Sequence, residues 1–298
     1  MPKPRFPPTL FAVHSPRRSG ITLIELMVVL AVIGLLISIL VPAIQSVREV
    51  SRRLECANNL KQIALASHNY SSVYNILPLG CDLGPLASII PYVTGGNYLS
   101  TPGFYRCPSD SGQVSVAVNY ALSIGVLDGQ SFSGCFGCAD KPIRWIDITD
   151  GQSNTAMFSE WLRGPSIVSN PPSPVIDRSQ PHRLVFGVVM PPGSTLDVPA
   201  AMRVCDETSP STAPVYSESR GTGWGGSDIL NTTYAHNLPP NRNSCYLAPV
   251  ISGWPVNSSS SYHSRGVNCA LADGSVRFVS EVISPSIWQA MGTRSGGE

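Results

Sequence analysis

Charged side chains are scarce in this sequence. Only 13% of the 298 residues are Asp, Glu, Lys or Arg, against about 25% in ordinary soluble domains. The 20 basic and 19 acidic residues nearly cancel. A nucleic-acid partner is therefore not predicted, because such a partner is recognised by a clear excess of basic residues on one surface.

Familiar catalytic motifs are also missing. The sequence has no G-x-S-x-G, no H-E-x-x-H and no Walker A pattern. Residues 221–226 (GTGWGG) satisfy G-x-G-x-x-G, but a dinucleotide site needs a strand before it, a helix after it and an acidic residue about 20 positions on. Here Pro239 and Pro240 follow soon after instead. We predict a protein without catalytic residues, cofactor or metal, and hence not an enzyme.

One long apolar run stands out against this background. Residues 21–41 contain a single charge, Glu25, and as a helix they span roughly 31 Å, enough to cross the hydrocarbon core of a bilayer. A carboxylate in such a run is costly and calls for a partner. A secretory signal peptide fits less well, because its apolar region is about 7–15 residues long.

The helical pattern continues beyond the membrane run, so we predict a helix from Ile21 to about Tyr70, with a kink at Pro42. An apolar stripe runs along its second half, with most members three or four residues apart: Ile44, Val47, Val50, Leu54, Ala57, Leu60, Ile63 and Ala64. This stripe suits packing against the protein's own globular part. A simple tether with no role in assembly predicts the same stripe, and periodicity does not separate the two.

All eight cysteines follow the apolar run, at positions 56, 81, 107, 135, 138, 205, 245 and 269. An even number is compatible with disulfides in an oxidising compartment, but spacing does not choose among the possible pairings. Cys135 and Cys138 form a C-x-x-C pair that we interpret as a structural disulfide or loop staple. Zinc is the weaker alternative, because no second C-x-x-C accompanies the pair.

The rest of the chain is rich in turns, with 26 glycines and 27 prolines. Residues 163–214 hold ten prolines, which predicts a long irregular excursion, interrupted by a candidate strand over residues 184–190. Near the carboxyl end, residues 267–272 and 275–279 flank Asp273-Gly274. This dipeptide suits a two-residue hairpin turn, since both turn positions need positive φ.

The amino-terminal segment resembles the class III leader of type IV prepilins and pseudopilins: Arg18-Ser19-Gly20, then Ile21-Thr22-Leu23-Ile24-Glu25-Leu26 and a long apolar helix. The resemblance implies cleavage between Gly20 and Ile21 by a prepilin peptidase, and N-methylation of Ile21. Glu25 then becomes the fifth mature residue and pairs with a neighbouring subunit's terminal amine. Ile21 stands where such leaders usually have Phe, so a large hydrophobic residue is kept.

A second resemblance covers nearly the whole chain and is weakest over residues 163–214. His263, nine residues and Asp273-Gly274 form an His-x9-Asp-Gly pattern that, with the leader, resembles large bacterial prepilin-like proteins containing the domain of unknown function DUF1559. Further matching segments are residues 53–63 (RLECANNLKQI), 68–70 (HNY), 107–110 (CPSD), 119–120 (NY), 150–155 (DGQSNT), 238–241 (LPPN) and 292–294 (GTR).

Two of these motifs invite a functional interpretation. His263 and Asp273 suggest an acid–base pair or metal ligands, but no nucleophile motif accompanies them. We therefore interpret Asp273 as a turn residue and His263 as a cap or hydrogen-bond partner of a nearby loop. The segment from Asp150 to Thr155 is rich in oxygen ligands but lacks the acidic spacing of an EF-hand, so a turn held by side-chain oxygens is favoured over a calcium site.

Together these observations predict an α+β fold, with a long amino-terminal helix on an antiparallel sheet with long loops. The predicted parts are a leader (1–20), a transmembrane helix (21–41), its amphipathic continuation (42–70) and an extracytoplasmic DUF1559-like body (71–298). Basic residues are equally numerous on both sides of the span, so orientation rests on the leader resemblance. The expected partners are the prepilin peptidase/methyltransferase, other pilin-like subunits and inner-membrane lipid.

The function predicted from these resemblances is that of a pilin-like or pseudopilin-like subunit, assembled through its amino-terminal helix into a type II secretion or type IV pilus-like structure. The alternative is a membrane-anchored extracytoplasmic binding module that never polymerises. Its loops would recognise a polysaccharide or protein, with exposed tryptophans as candidates: Trp161, Trp224 and Trp254.

Overall fold

The computed structural model of the chain describes residues 20, 22–79, 84–94, 101–112, 114, 116–128, 131–136, 142–165, 177–189, 198–225, 231–248 and 255–297. The chain divides into two compact units, Met1–Arg48 and Glu49–Glu298. Both units draw on the first helix, α1 (Leu23–Tyr74), which is continuous through Pro42. Each unit is described by itself below.

The described part of the first unit consists mainly of the amino-terminal part of α1. Its apolar side chains over residues 23–41 are exposed, for example Leu23 at 74% and Leu35 at 63%. Among the described residues, α1 is the one helix long and apolar enough to cross a membrane. A helix that exposes apolar side chains all around is stable in lipid, because its backbone hydrogen bonds are satisfied internally.

The second unit contains four further helices and eleven strands within the described ranges. The helices are α2 (Pro85–Ile89), α3 (Pro91–Thr94), α4 (Val198–Glu207) and α5 (Pro285–Gly292). The strands are β1 (Tyr120–Ser123), β2 (Leu127–Asp128), β3 (Ser131–Phe132), β4 (Ala156–Glu160), β5 (Val185–Val189), β6 (Val215–Ser217), β7 (Thr233–Tyr234), β8 (Ser244–Ala248), β9 (Pro255–Val256), β10 (Gly266–Leu271) and β11 (Val276–Ser280).

The main sheet has the strand order β11-β10-β4-β1-β7. Its pairs are antiparallel except β1 with β7, which is parallel. The second half of α1 contributes Leu60 and Ile63 to a core that also holds Tyr120 and Phe158 of the sheet. The α+β prediction is confirmed, and the sheet is mixed rather than wholly antiparallel.

The predicted stripe on α1 is only partly buried. Leu60, Ile63 and Ala64 are fully buried, and the first buried residue of α1 is Cys56. Within the second unit the stripe prediction is wrong for Val50 and Leu54, because apolar periodicity marks a face without showing how much of it is buried. The exposed members are Ile44, Val47, Val50 and Leu54.

The proline-rich stretch is more ordered than its composition predicts. Its candidate strand is confirmed as β5, which pairs in a four-stranded sheet of order β6-β5-β8-β9. Helix α4 also belongs to this stretch, and its Ala201 and Cys205 share a separate core with Phe186. The description of residues 163–214 as irregular is therefore wrong for the described parts, because β5 and α4 bury apolar side chains there, and Pro199 lies in the first turn of α4, where a helix tolerates proline.

The predicted carboxyl-terminal hairpin is present as β10 and β11, with Gly266 opposite Ser280 and Ala270 opposite Val276. Its turn differs from the prediction. Gly274 has φ +82°, whereas Asp273 is not among the described residues with positive φ. The amide of Gly274 donates to Leu271 O and that of Leu271 to Ser275 O, which defines a three-residue connection ending in a left-handed glycine.

Candidate functional site

The start of α1 is closed by a reciprocal cap. The Thr22 amide and hydroxyl donate to Glu25 Oε2 at 2.8 and 2.9 Å, and the Glu25 amide donates to Thr22 Oγ1 at 3.3 Å. This is a capping box, in which each side chain satisfies a backbone amide that the first helical turn leaves open. The Glu25 carboxylate is therefore held beside Thr22. Ile21 lies outside the described residues.

His263 lies at the centre of a buried polar cluster in the second unit, and its side chain is fully buried. Its Nδ1 lies 2.7 Å from Glu49 Oε1 of α1, and its Nε2 lies 3.4 Å from Glu160 Oε1 at the end of β4. The same Nε2 is 3.6 Å from Cys107 Sγ. The prediction that His263 bonds a nearby loop is incomplete, because the ring contacts carboxylates of α1 and β4 as well as Cys107 of a loop.

The cluster is closed by a disulfide between Cys56 of α1 and Cys107. Asn268 of β10 holds both oxygens of Glu160, through its amide and its side-chain nitrogen, each at 2.8 Å. The structure thus joins α1, β4, β10 and the loop at Cys107 around one imidazole. Ion pairing across such a site ties the long helix to the sheet.

The electrostatics of the cluster favour a charged imidazole. Burial alone lowers the pKa of His263, but the hydrogen bonds and charges of Glu160 and Glu49 outweigh it, so that pKa is raised above its usual value. Burial raises the pKa of Glu49, yet hydrogen bonding to His263 and Arg52 leaves it below its ordinary range. Opposite charges in a poorly solvated site stabilise each other's ionised forms.

A second buried network adjoins the cluster at Asp110. Its carboxylate pairs with the guanidinium groups of Arg163 and Arg183, the former at 3.3 Å. Asn119 Nδ2 donates to Asp110 Oδ2 at 2.6 Å, while Asn119 Oδ1 accepts from the Cys107 amide at 3.0 Å. Asn119 therefore connects the two networks and fixes the loop that carries Cys107.

The structure does not pair His263 with Asp273. The Asp273 carboxylate accepts from the amide and hydroxyl of Ser275, at 2.9 and 2.6 Å, and so stabilises the hairpin turn as predicted. The segment from Asp150 to Thr155 forms a turn in which the Thr155 hydroxyl donates to Gly151 O at 3.1 Å, whereas the Asp150 carboxylate holds the carboxyl-terminal segment. This carboxylate accepts from the Thr293 hydroxyl and from the amides of Gly296 and Gly297.

The cysteine predictions need one correction. Cys135 is a buried free thiol, so the predicted Cys135–Cys138 disulfide is wrong; Cys138 lies outside the described residues. Complete burial raises the pKa of Cys135 to about 12, which leaves its thiol protonated and inert. The second described disulfide instead joins Cys205 of α4 to Cys245 of β8.

Two of the tryptophans proposed for ligand binding are not exposed. Trp161 is 1% exposed and Trp224 is 6% exposed, and each indole nitrogen donates inside the fold, to Val118 O and Thr101 Oγ1. The prediction of exposed rings is wrong for both, because each supports the core. Trp254 lies outside the described residues.

Sequence reasoning missed Glu49 and Glu160. Glu160 ends a strand whose five residues are all buried, and an acid in an apolar strand is a sign of a buried partner. Glu49 carries no comparable sign, because it lies among Arg48, Arg52 and Arg53 on an ordinary polar helix face.

Two family models match the chain, one at its amino terminus and one over its body. A model for the prokaryotic N-terminal methylation motif matches residues 15–41, which include Gly20 and Glu25. The motif indicates a prepilin-type protein, processed by prepilin peptidase and assembled with other pilin subunits into a pilus or pseudopilus. The apolar part of α1 fits the inner-membrane anchor typical of such proteins.

The body is matched by the model described as protein of unknown function (DUF1559), over residues 45–98 and 92–286. The chain belongs to this family. Neither match is to an enzyme family. No curated protein and no solved structure matches the chain.

Proposed function

We propose that this chain is the precursor of a pilin-like structural subunit of a type II secretion or type IV pilus-like assembly. Cleavage falls between Gly20 and Ile21, and Ile21 becomes the methylated amino terminus. The observation that carries the proposal is the start of α1, where an exposed apolar helix begins directly after this site with Glu25 as its single charge over residues 21–41.

The two described disulfides support an extracytoplasmic position for the second unit. Cys56–Cys107 and Cys205–Cys245 both lie in it, and disulfides persist in the periplasm or at the cell surface but are rare in the cytosol. The leader then stays on the cytoplasmic side, and residues 21–41 cross the inner membrane.

Glu25 sets the register between neighbouring amino-terminal helices during assembly. In the single chain its carboxylate is satisfied by Thr22. Cleavage frees a positive amine at Ile21, and in lipid a carboxylate gains most from a charged partner. Exchange of the Thr22 hydrogen bonds for a neighbour's amine fixes how far one helix slides along the next.

Processing is tested by mass analysis of the amino terminus in protein from native membranes, with and without the prepilin peptidase. We expect a mature terminus at N-methylated Ile21 when the peptidase is present, and an intact leader when it is absent. An intact leader in both samples contradicts the proposal and favours the membrane-anchored binding module.

Replacement of Glu25 by Ala is expected to leave cleavage largely intact and to abolish crosslinking between neighbouring amino-terminal helices. Thr22→Val is the matched control, because it removes the hydroxyl from the same capping box without removing the charge. Loss of a cap costs about 1 kcal/mol of helix stability, so the control should still assemble. Equal assembly defects in the two variants would reduce Glu25 to a helix cap.

A further inference from the structure

The buried cluster around His263 offers a set of metal ligands that the proposed function does not use. One ligand atom from each of Cys56, Cys107, Glu160 and His263 lies within 4.8 Å of every other. All four residues are more than nine-tenths buried. We propose that, when the Cys56–Cys107 disulfide is reduced, these four side chains bind one Zn²⁺ ion.

The distances suit a tetrahedral ion. Zinc lies about 2.3 Å from a cysteine sulfur and about 2.0–2.2 Å from a histidine nitrogen or carboxylate oxygen, which places neighbouring ligand atoms about 3.3–3.8 Å apart. His263 Nε2 is already 3.4 Å from Glu160 Oε1 and 3.6 Å from Cys107 Sγ. Reduction lets the two sulfurs separate to a similar spacing.

The residues behind the ligands have the arrangement that zinc sites need. A zinc-binding histidine gives its other ring N–H to a carboxylate, which fixes the tautomer and the ring orientation. Glu49 Oε1 is in that place, 2.7 Å from His263 Nδ1. Asn268 likewise holds Glu160 through two hydrogen bonds of 2.8 Å.

The ion has a route to the site. A hollow of about 410 Å³ is lined by Cys107 together with Glu55, Arg106 and Asp110. It is open to the outside, so a small reductant or a hydrated ion can approach the residue that carries one of the two sulfurs. Two thiolates, one carboxylate and a neutral imidazole form a donor set typical of zinc.

Zinc and the disulfide exclude each other. A dithiol reductant gives two electrons and two protons: its own thiols become a disulfide, the Cys56–Cys107 bond breaks and both sulfurs become thiols. Zinc then displaces into solvent the two thiol protons and the Nε2 proton of a charged His263, because only thiolates and a neutral imidazole nitrogen ligate the ion. In either state the same two sulfurs fasten α1 to the loop at Cys107.

The proposal is tested on the full chain in detergent, reduced anaerobically with a phosphine and titrated with Zn²⁺ alone. We expect one zinc per reduced chain and none in the oxidised chain. Mass mapping after alkylation should show Cys56 and Cys107 protected by zinc and Cys205 and Cys245 unprotected. Equal alkylation of both pairs, or equal zinc binding by the oxidised chain, overturns the proposal.

Variants locate the ion. His263→Gln and Glu160→Gln should lose zinc binding, with folding checked by circular dichroism of their oxidised forms. Cys205→Ser with Cys245→Ser is the matched control and should keep it. Glu49→Gln should weaken zinc affinity about 10–100-fold. Tetrahedral Co²⁺ bound to the reduced chain should show a thiolate charge-transfer band, and a spectrum without that band also overturns the proposal.

Discussion

Replacement of Asp110 by Ala is expected to lower the free energy of unfolding by about 3–5 kcal/mol, because it leaves two buried guanidinium groups without a counter-charge. The side chains of Asp110, Arg163 and Arg183 are 1%, 4% and 6% exposed. The variant also removes the acceptor of the Gly112 amide at 2.9 Å. Chemical denaturation of the full chain in detergent measures the change.

Asp206→Ala is the matched control for this loss. Asp206 pairs with Arg242 at 3.4 Å, but their side chains are 34% and 50% exposed. An ion pair with this exposure contributes about 0–1 kcal/mol, so the control should unfold close to the parent. Similar destabilisation in both variants would show that burial of the Asp110 network does not set its strength.

His236 is expected to make the second unit sensitive to acid. Its side chain is fully buried, with Nδ1 donating to Trp288 O at 2.7 Å and Nε2 lying 3.1 Å from the Tyr234 hydroxyl. Burial lowers its pKa from 6.5 to about 3, although the Trp288 carbonyl favours the charged form. Between these two values the unfolded chain binds a proton that the folded chain does not.

Stability therefore rises with pH across this window. The contribution of His236 to stability is complete above pH 6.5 and is lost as pH falls toward 3. The loss over this window is on the order of 3–5 kcal/mol. Unfolding free energies measured at intervals of pH should therefore fall more steeply for the parent than for His236→Gln, which has no proton to bind.

His68→Gln is the comparison variant for this effect. Burial also lowers the pKa of His68, but its ring lies only half-buried against Trp145, with ring centroids 4.3 Å apart. Its removal should change the acid slope less than removal of His236. An equal slope of unfolding free energy against pH in the parent and in His236→Gln would mean that protonation of the buried imidazole does not cause the acid sensitivity.

Local patterns predicted the parts of this protein that depend on near neighbours. The helix, observed as Leu23–Tyr74, follows from apolar continuity and from spacing in threes and fours. The carboxyl-terminal hairpin follows from two apolar runs around Asp273-Gly274. Its turn type did not follow, because the first turn residue does not adopt positive φ and only Gly274 does.

The sequence by itself determined the apolar run with its single carboxylate and the methylation motif, since each is a contiguous run of residue types, and the family, whose short segments are recognisable without the fold. Only the tertiary structure decided which cysteines pair and which acids meet His263. Cys56 and Cys107 are 51 positions apart, and Glu49 and His263 are 214 apart. Such partners depend on how the sheet and the helix pack, and no local periodicity records the path of the chain between them.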